Sequence, residues 1–335
     1  MATDLFATAA GPSAAALQDA VPPACRCSVE PAPAARREGD DLILEFPAWR
    51  PRRPGRHFVP AFGAVTRVPY SLRFELSGEV GGRWSDWVGS VGLGLTPFGA
   101  IDGRNELLES EIDLWRARQP VERVRLRIRL RAREAATVLG APWLATLSVW
   151  DGAAADAAQP AGAVRLSVPA LSQIVEGGHL GSRICSPTSV AMVLTYWDAA
   201  DTVTGLAAEM FHPELDLYGV WPAAIQAAAR RGVLGYLLRF PDWASAAWCL
   251  GHGLPIIASV RYDRGELAGA AIAATAGHLL VLTGYEDGSV LVNDPAASEP
   301  SMVPRRYAVQ DLARVWLARA GVGYVLFRPG HVVTK

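Results

Sequence analysis

Three residues of this chain have the types and surroundings of a thiol catalytic centre. Cys185 lies in Arg183-Ile184-Cys185-Ser186-Pro187-Thr188-Ser189, His278 in Gly277-His278-Leu279-Leu280-Val281, and Asp294 in Val292-Asn293-Asp294-Pro295. A cysteine attacks a carbonyl as its thiolate, and an imidazole beside it takes up the thiol proton and later hands it to the leaving group. A carboxylate behind the imidazole fixes its tautomer and orientation. The order Cys, His, Asp therefore points to nucleophilic acyl chemistry and to a candidate cysteine hydrolase.

These side chains need elements to hold them. Pro187 suits the first turn of a helix, where its missing N–H is not needed, and Ser186, Thr188 and Ser189 are helix-start residues, so the sequence predicts that Cys185 opens a helix. Val190, Val193, Leu194 and Trp197 recur at spacings of three and four, which predicts one buried stripe. The N–H groups and dipole at that helix end favour a thiolate. Residues 278–282 and 290–292 are β-rich runs separated by Glu286-Asp287-Gly288-Ser289, whose Asp-Gly pair signals a hairpin. Folding back there returns Asp294 to the end of the ribbon where His278 sits, across the ~4.8 Å that separates neighbouring strands. Asn293 is the alternative orienter, because strand alternation lets only one of the two face the imidazole. For the oxyanion of a tetrahedral intermediate, the Cys185 backbone N–H is one donor and Gln173, in Leu171-Ser172-Gln173-Ile174, is the side-chain candidate.

At these residues the chain resembles the C39-like peptidase family, a branch of the papain-like cysteine proteases. The resemblance rests on Leu171-Ser172-Gln173, on Cys185-Ser186-Pro187-Thr188-Ser189 with Met192-Val193-Leu194, on Gly277-His278-Leu279-Leu280-Val281 and on Asn293-Asp294-Pro295-Ala296. It runs from about Pro169 to the C-terminus and includes Gly253-Leu254-Pro255-Ile256-Ile257, which resembles the strand before the histidine strand. It implies Cys185 as nucleophile, His278 as base, Asp294 as orienter and Gln173 as oxyanion donor. Ser186 stands where many members carry glycine, and no ATP-binding cassette or membrane domain follows, so processing of double-glycine leaders is not expected.

The other thiols and imidazoles have plainer readings. Cys249, among Ala246-Ala247-Trp248 and Leu250, reads as core, and Cys25-Arg26-Cys27 is neither a disulfide framework nor a zinc site. His179 and His252 lie in glycine-rich turns and His212 precedes Pro213. The expected function is hydrolysis of an amide or peptide bond through a thioester acyl-enzyme, with no metal or organic cofactor. The alternatives are a cysteine-dependent acyltransferase or amidase on a small biosynthetic substrate, and a noncatalytic protein that binds peptide or polymer.

The chain has 335 residues, half of them apolar, and 32 basic against 33 acidic side chains give a net charge of -1, which offers no basis for bulk nucleic-acid binding. No apolar run approaches the ~20 residues of a membrane-spanning helix. The expected fold class is α+β: a papain-like cysteine peptidase domain over 166–335, preceded by an antiparallel β-sandwich over 39–152. Residues 1–38, rich in Ala and Pro, read as a flexible leader without the pattern of a secretory signal, and 153–165 as a linker. That start favours a cytoplasmic location, while the family resemblance leaves export open. In the β region, Arg123, Arg125, Arg127, Arg129 and Arg131 alternate with apolar residues as in a half-buried strand. With Trp84, Trp87, Trp115 and Tyr70 they suit a surface for sugars or anionic cell-wall polymers. The plainer expectation is a charged edge strand over a tryptophan core.

Overall fold

The structure is a computed structural model that describes residues 3–11, 13–29, 31–153 and 162–329. The N-terminal part contains strands β1 (Thr3–Ala10), β2 (Arg26–Val29), β3 (Ala34–Glu38), β4 (Asp41–Glu45), β5 (Gly55–Ala64), β6 (Tyr70–Val80), β7 (Arg83–Trp84), β8 (Val88–Leu93), β9 (Leu108–Ser110), β10 (Trp115–Val121), β11 (Arg123–Ala132) and β12 (Trp143–Trp150), with helices α1 (Ser13–Ala20) and α2 (Ala135–Gly140). They form two six-stranded sheets, one in the order β2-β1-β12-β5-β10-β9 and one in the order β3-β4-β11-β6-β7 with β8 paired to β6. The two sheets share one core, to which β11 contributes Val124, Leu126, Ile128 and Leu130 and the facing sheet Phe6, Phe58, Trp115 and Leu147.

The arginines of β11 fall on the opposite face, as a period of two requires. Their strand is not an edge: β11 lies between β4 and β6, and each arginine there has a partner. Arg123 pairs with Glu79 at 3.0 Å, Arg127 with Glu45 at 2.8 Å, and Arg129 with Glu75 at 3.0 Å and Asp41 at 3.1 Å. Arg131 pairs with Asp41 at 2.5 Å. Arg125 lies 4.0 Å over the Trp84 ring and Arg127 3.8 Å over that of Trp87. The expected aromatic cluster is therefore divided, with Trp115 and Tyr70 in the core and Trp84 and Trp87 half-buried under the arginines.

Residues 1–38 are not a flexible leader over the part described. β1 pairs along its whole length with β12, and its Phe6 stacks on Trp49 at 5.3 Å. Phe6 faces the space between the sheets, while Leu5 and Ala7 enter a second core on the other side. A strand covered on both faces shows no polar alternation, and small alanines fit it, so a composition that reads as flexible belongs to a buried strand. β1 and β2 run parallel, a pairing that the crossover through α1 allows, so the sheet is not wholly antiparallel. The expected linker falls mainly on 154–161, outside the described residues; Val164–Arg165 already form strand β13, paired with the histidine strand.

The C-terminal part comprises β13, α3 (Cys185–Tyr196), α4 (Val203–Met210), α5 (Trp221–Ala229), β14 (Leu234–Arg239), α6 (Trp243–Gly251), β15 (Ile256–Tyr262), β16 (Thr275–Glu286), β17 (Ser289–Asn293), β18 (Pro304–Ala308), α7 (Val309–Val315) and β19 (Val322–Phe327). Its antiparallel sheet runs β14-β19-β15-β16-β17-β18, with β13 beside β16. The chain as a whole is thus mixed α+β. β14 packs on β5 and β12, and α5 on β5, so Val59, Ala61 and Leu144 share one core with Leu234, Tyr236 and Leu238. Gly63 is required there, because a Cβ would stand 2.7 Å from that of Ala229. Among the described residues no helix is long and apolar enough to cross a membrane.

Candidate active site

Cys185 is the first residue of α3, and Ile184 before it supplies no side-chain cap. The helix end is pinned by other means. Thr188 Oγ1 donates to the Ile184 carbonyl at 2.8 Å, and Ser189 Oγ donates to the Leu279 carbonyl at 3.2 Å, which ties the helix to the histidine strand. Residues 186–194 are all buried, so the helix is covered on every side rather than along the expected stripe. The β16 strand runs beneath it, and α4 and α5 flank it.

His278 is buried on β16 and paired with Val260 of β15. β16 turns into β17 through Asp287 and Gly288, whose φ values of 47° and 73° are the left-handed pair of a tight hairpin. Just past the end of β17, fully buried Asp294 accepts His278 Nε2–H at 2.8 Å through Oδ1. The Ala296 N–H also reaches Oδ1 at 3.1 Å, and the Tyr307 hydroxyl donates to Oδ2 at 2.8 Å. With Nε2 committed to Asp294, Nδ1 is the ring nitrogen left for the cysteine. His278, and the Leu279 and Ser186 backbone N–H groups, act on the Cys185 sulfur to favour its thiolate.

Asn293 faces the other way. Its Nδ2 donates to the Val168 carbonyl at 3.0 Å and the Pro169 carbonyl at 3.2 Å, so alternation gives Asp294, not Asn293, to the imidazole.

The electrostatics follow from this packing. Burial alone would raise the Cys185 thiol, but the hydrogen bond and charge of His278 outweigh it and hold the thiol below its ordinary range. For His278 burial acts to lower the value, yet Asp294 and Cys185 together push it up to about 10. Asp294, despite its burial, is held below the ordinary carboxylate range by His278 and Tyr307. Both shifts favour the ion pair, a thiolate beside an imidazolium, over the neutral pair. Cys25 and Cys249 behave in the opposite way, since burial pushes Cys25 up to about 12 and Cys249 higher still.

Residues 165–324 match the model of the Peptidase_C39 like family. That match supports a cysteine peptidase in general terms. Two solved structures are similar over about half of this chain. One is a candidate C39-like peptidase from Bacillus anthracis, 19% identical, covering 50% of this chain and 98% of its own, with a TM-score of 0.40. The other is a double glycine motif protease from an AMS/PCAT transporter in complex with the leader peptide, 17% identical, covering 49% of this chain and 94% of its own, with a TM-score of 0.34. No curated protein matches the chain significantly.

The C39-like span contains Cys185, His278, Asp294 and Gln173, and the two N-terminal sheets lie outside it. Gln173 is buried in a short turn of helix, where its Nε2 donates to the Gly181 carbonyl at 2.9 Å and its Oε1 has no partner. It makes no hydrogen bond to Cys185 or His278; its link to the site is its backbone N–H, which donates to the Pro295 carbonyl at 2.9 Å. Ser172 Oγ donates to the Ala297 carbonyl at 2.6 Å, so 172–173 and 294–297 are laced together. His212 bonds the Gly92 carbonyl, His252 stacks on Trp248, and His179 is exposed. Tyr307 is the site residue that sequence reading missed. Nothing local marks it, because its role depends on the pairing of β17 with β18.

Proposed function

We propose that this chain is a cysteine peptidase that hydrolyses a peptide bond through a thioester on Cys185. The observation that carries this reading is the 2.8 Å bond from His278 Nε2 to Asp294, which turns the other face of the imidazole to the sulfur. Sγ attacks the scissile carbonyl carbon, and the imidazolium gives its proton to the leaving amine as the carbon–nitrogen bond breaks. His278 then accepts a proton from water as the hydroxide attacks the thioester, and the carboxylic acid leaves with Cys185 restored as thiolate. The Cys185 backbone N–H, at a helix start where it has no helical acceptor, serves the oxyanion. Gln173 Nε2 carries two hydrogens, one bonded to Gly181 and one left for the oxyanion, which supports its role as the second donor.

The test is a peptide-library digest by the parent protein and by Cys185→Ala. Cleavage by the parent and none above background by the variant is the expected result. Equal cleavage by both would remove Cys185 as nucleophile.

A further inference from the structure

The loop 211–220, which joins α4 to α5, touches the residues on both sides of Cys185. Two backbone hydrogen bonds between His212 and Leu217, 2.7 and 3.3 Å long, close it into a narrow turn. On one side of the sulfur, Arg183 pairs with the Asp216 carboxylate at 2.8 Å, donates to the Asp216 carbonyl and lies 5.1 Å over the Tyr218 ring. On the other side Gly219 abuts the helix start, since a Cβ there would stand 3.9 Å from that of Ser186. Arg183 lies two residues before Cys185 and Ser186 one after, and two residues of chain span at most ~7 Å. Cys185 is half-exposed, so the loop is a wall bordering the approach to the sulfur.

The other anchors of this wall come from the N-terminal sheets, outside the C39-like span. His212 Nε2–H donates to the Gly92 carbonyl of β8 at 2.9 Å. Val220 is fully buried in the core between the two sheets, and Leu215 packs against that core. At the start of α5 the Trp221 N–H donates to Asp113 Oδ1 at 2.6 Å, and further along Gln226 Nε2 donates to the Tyr70 carbonyl of β6 at 2.9 Å. The acceptors are themselves held. Gly92 lies on a strand paired with β6, and Asp113 in a tight turn closed by the Glu111 N–H on the Leu114 carbonyl at 2.7 Å. A connecting loop keeps one shape only where contacts offset its conformational entropy, and the sheets supply such contacts at both of its ends.

We propose that the N-terminal sheets serve the reaction at Cys185, with His212 and Asp113 as positioning residues: these anchors hold the loop 211–220 against Arg183 and Ser186 and so fix the wall along which the peptide binds. This rests on the peptidase reading above. His278 and Asp294 are held by β16, β17 and Tyr307, and the start of α3 is tied to Leu279, so the ion pair itself needs none of these anchors. The wall does need them. Loosening an anchor weakens peptide binding and widens access to the sulfur while the ion pair stays as it was. Such a role differs from tethering to a polymer, because it acts through groups that touch the loop.

The test uses the full chain and two pairs of variants. His212→Ala removes the donor to Gly92 and His212→Gln restores an N–H; Asp113→Ala removes the acceptor for Trp221 and Asp113→Asn keeps one. In peptide cleavage each alanine variant should raise KM roughly three- to tenfold, the size of one lost hydrogen bond, with kcat kept and the conservative variants near the parent. Without any substrate, Cys185 labelling by bulky fluorescein maleimide relative to iodoacetamide should rise by a similar factor. The pH midpoint of alkylation should not move, and buried Cys249 should stay slow. A general loss of stability would instead expose Cys249. Parental KM and a parental reagent ratio in the folded alanine variants would overturn the proposal. In the parent itself the Leu217 and Trp221 amides should be protected from hydrogen exchange, and fast exchange there would also overturn it, with no variant needed. Failure of the parent to cut any peptide would remove the peptidase reading, while the reagent ratios and exchange would still decide the positioning role.

Discussion

Replacing Asp294 by asparagine separates what this residue does by shape from what it does by charge. The amide keeps an acceptor for His278 Nε2–H and turns an N–H toward the Tyr307 oxygen, which can accept it while the Tyr307 O–H gives up its acceptor. The negative charge is lost. A hydrogen bond to a charged group contributes about 1.5–3 kcal/mol against about 0.5–1.5 kcal/mol between neutral groups, so the imidazolium loses about 1–1.5 kcal/mol of support. One pKa unit corresponds to roughly 1.4 kcal/mol. The His278 value, now about 10, should drop by about one unit, and the Cys185 thiolate, which that imidazolium stabilises, should appear at higher pH. The assay is the rate of iodoacetamide alkylation of Cys185 as a function of pH, read by peptide mass spectrometry, with deeply buried Cys249 as the slow internal reference. The expected result is an upward displacement of the alkylation midpoint by up to about one unit, together with a roughly five- to tenfold loss of kcat/KM at neutral pH. An unchanged midpoint in a variant of parental thermal stability would refute the assignment of Asp294 as the charge behind the imidazole.

Three further outcomes are expected. Tyr307→Phe removes the donor to Oδ2 of a buried carboxylate; thermal and denaturant unfolding should show a loss of about 1.5–3 kcal/mol, and activity should fall with the fold intact. The His278 value lies above its ordinary 6.5, so the stability it contributes is complete below that pH and is lost as pH rises through about 10. The melting-temperature gap between the parent and His278→Gln should therefore narrow from pH 6 to pH 10, and peptidase activity should show an alkaline limb near 10; a gap that widened would reverse the sign. Phe6→Ala removes a ring stacked on Trp49 and should cost about 3–5 kcal/mol in chemical denaturation, whereas a residue in a flexible leader would cost nothing measurable.

What was legible in the sequence was local. The helix start at Cys185, the Asp-Gly turn that folds β16 onto β17, and the alternation that separates Asn293 from Asp294 all depend on neighbours a few residues apart, and periodicity encodes them directly. The alternating β11 strand was legible for the same reason. Features set by distant packing were not. Thr3–Ala10 lacks a polar face because two cores cover it, so it offers no one-sided pattern, and the stripe on the helix at Cys185 understates its burial because α4, α5 and the sheet enclose it. The Arg123 to Arg131 row looks like an edge until β4 and β6 are seen on either side, supplying Glu45, Glu75 and Glu79. Tyr307 reaches its position through a strand pairing that no spacing rule contains.

The apolar seam that joins β14 and α5 to β5 and β12 sets how this protein could be recombined. Cutting the chain between its two parts would leave Val59, Ala61 and Leu144 facing water on one fragment and Leu234, Tyr236 and Leu238 on the other. The C39-like half is therefore no portable cassette, and grafting it onto another carrier would require redesigning that seam along with the graft.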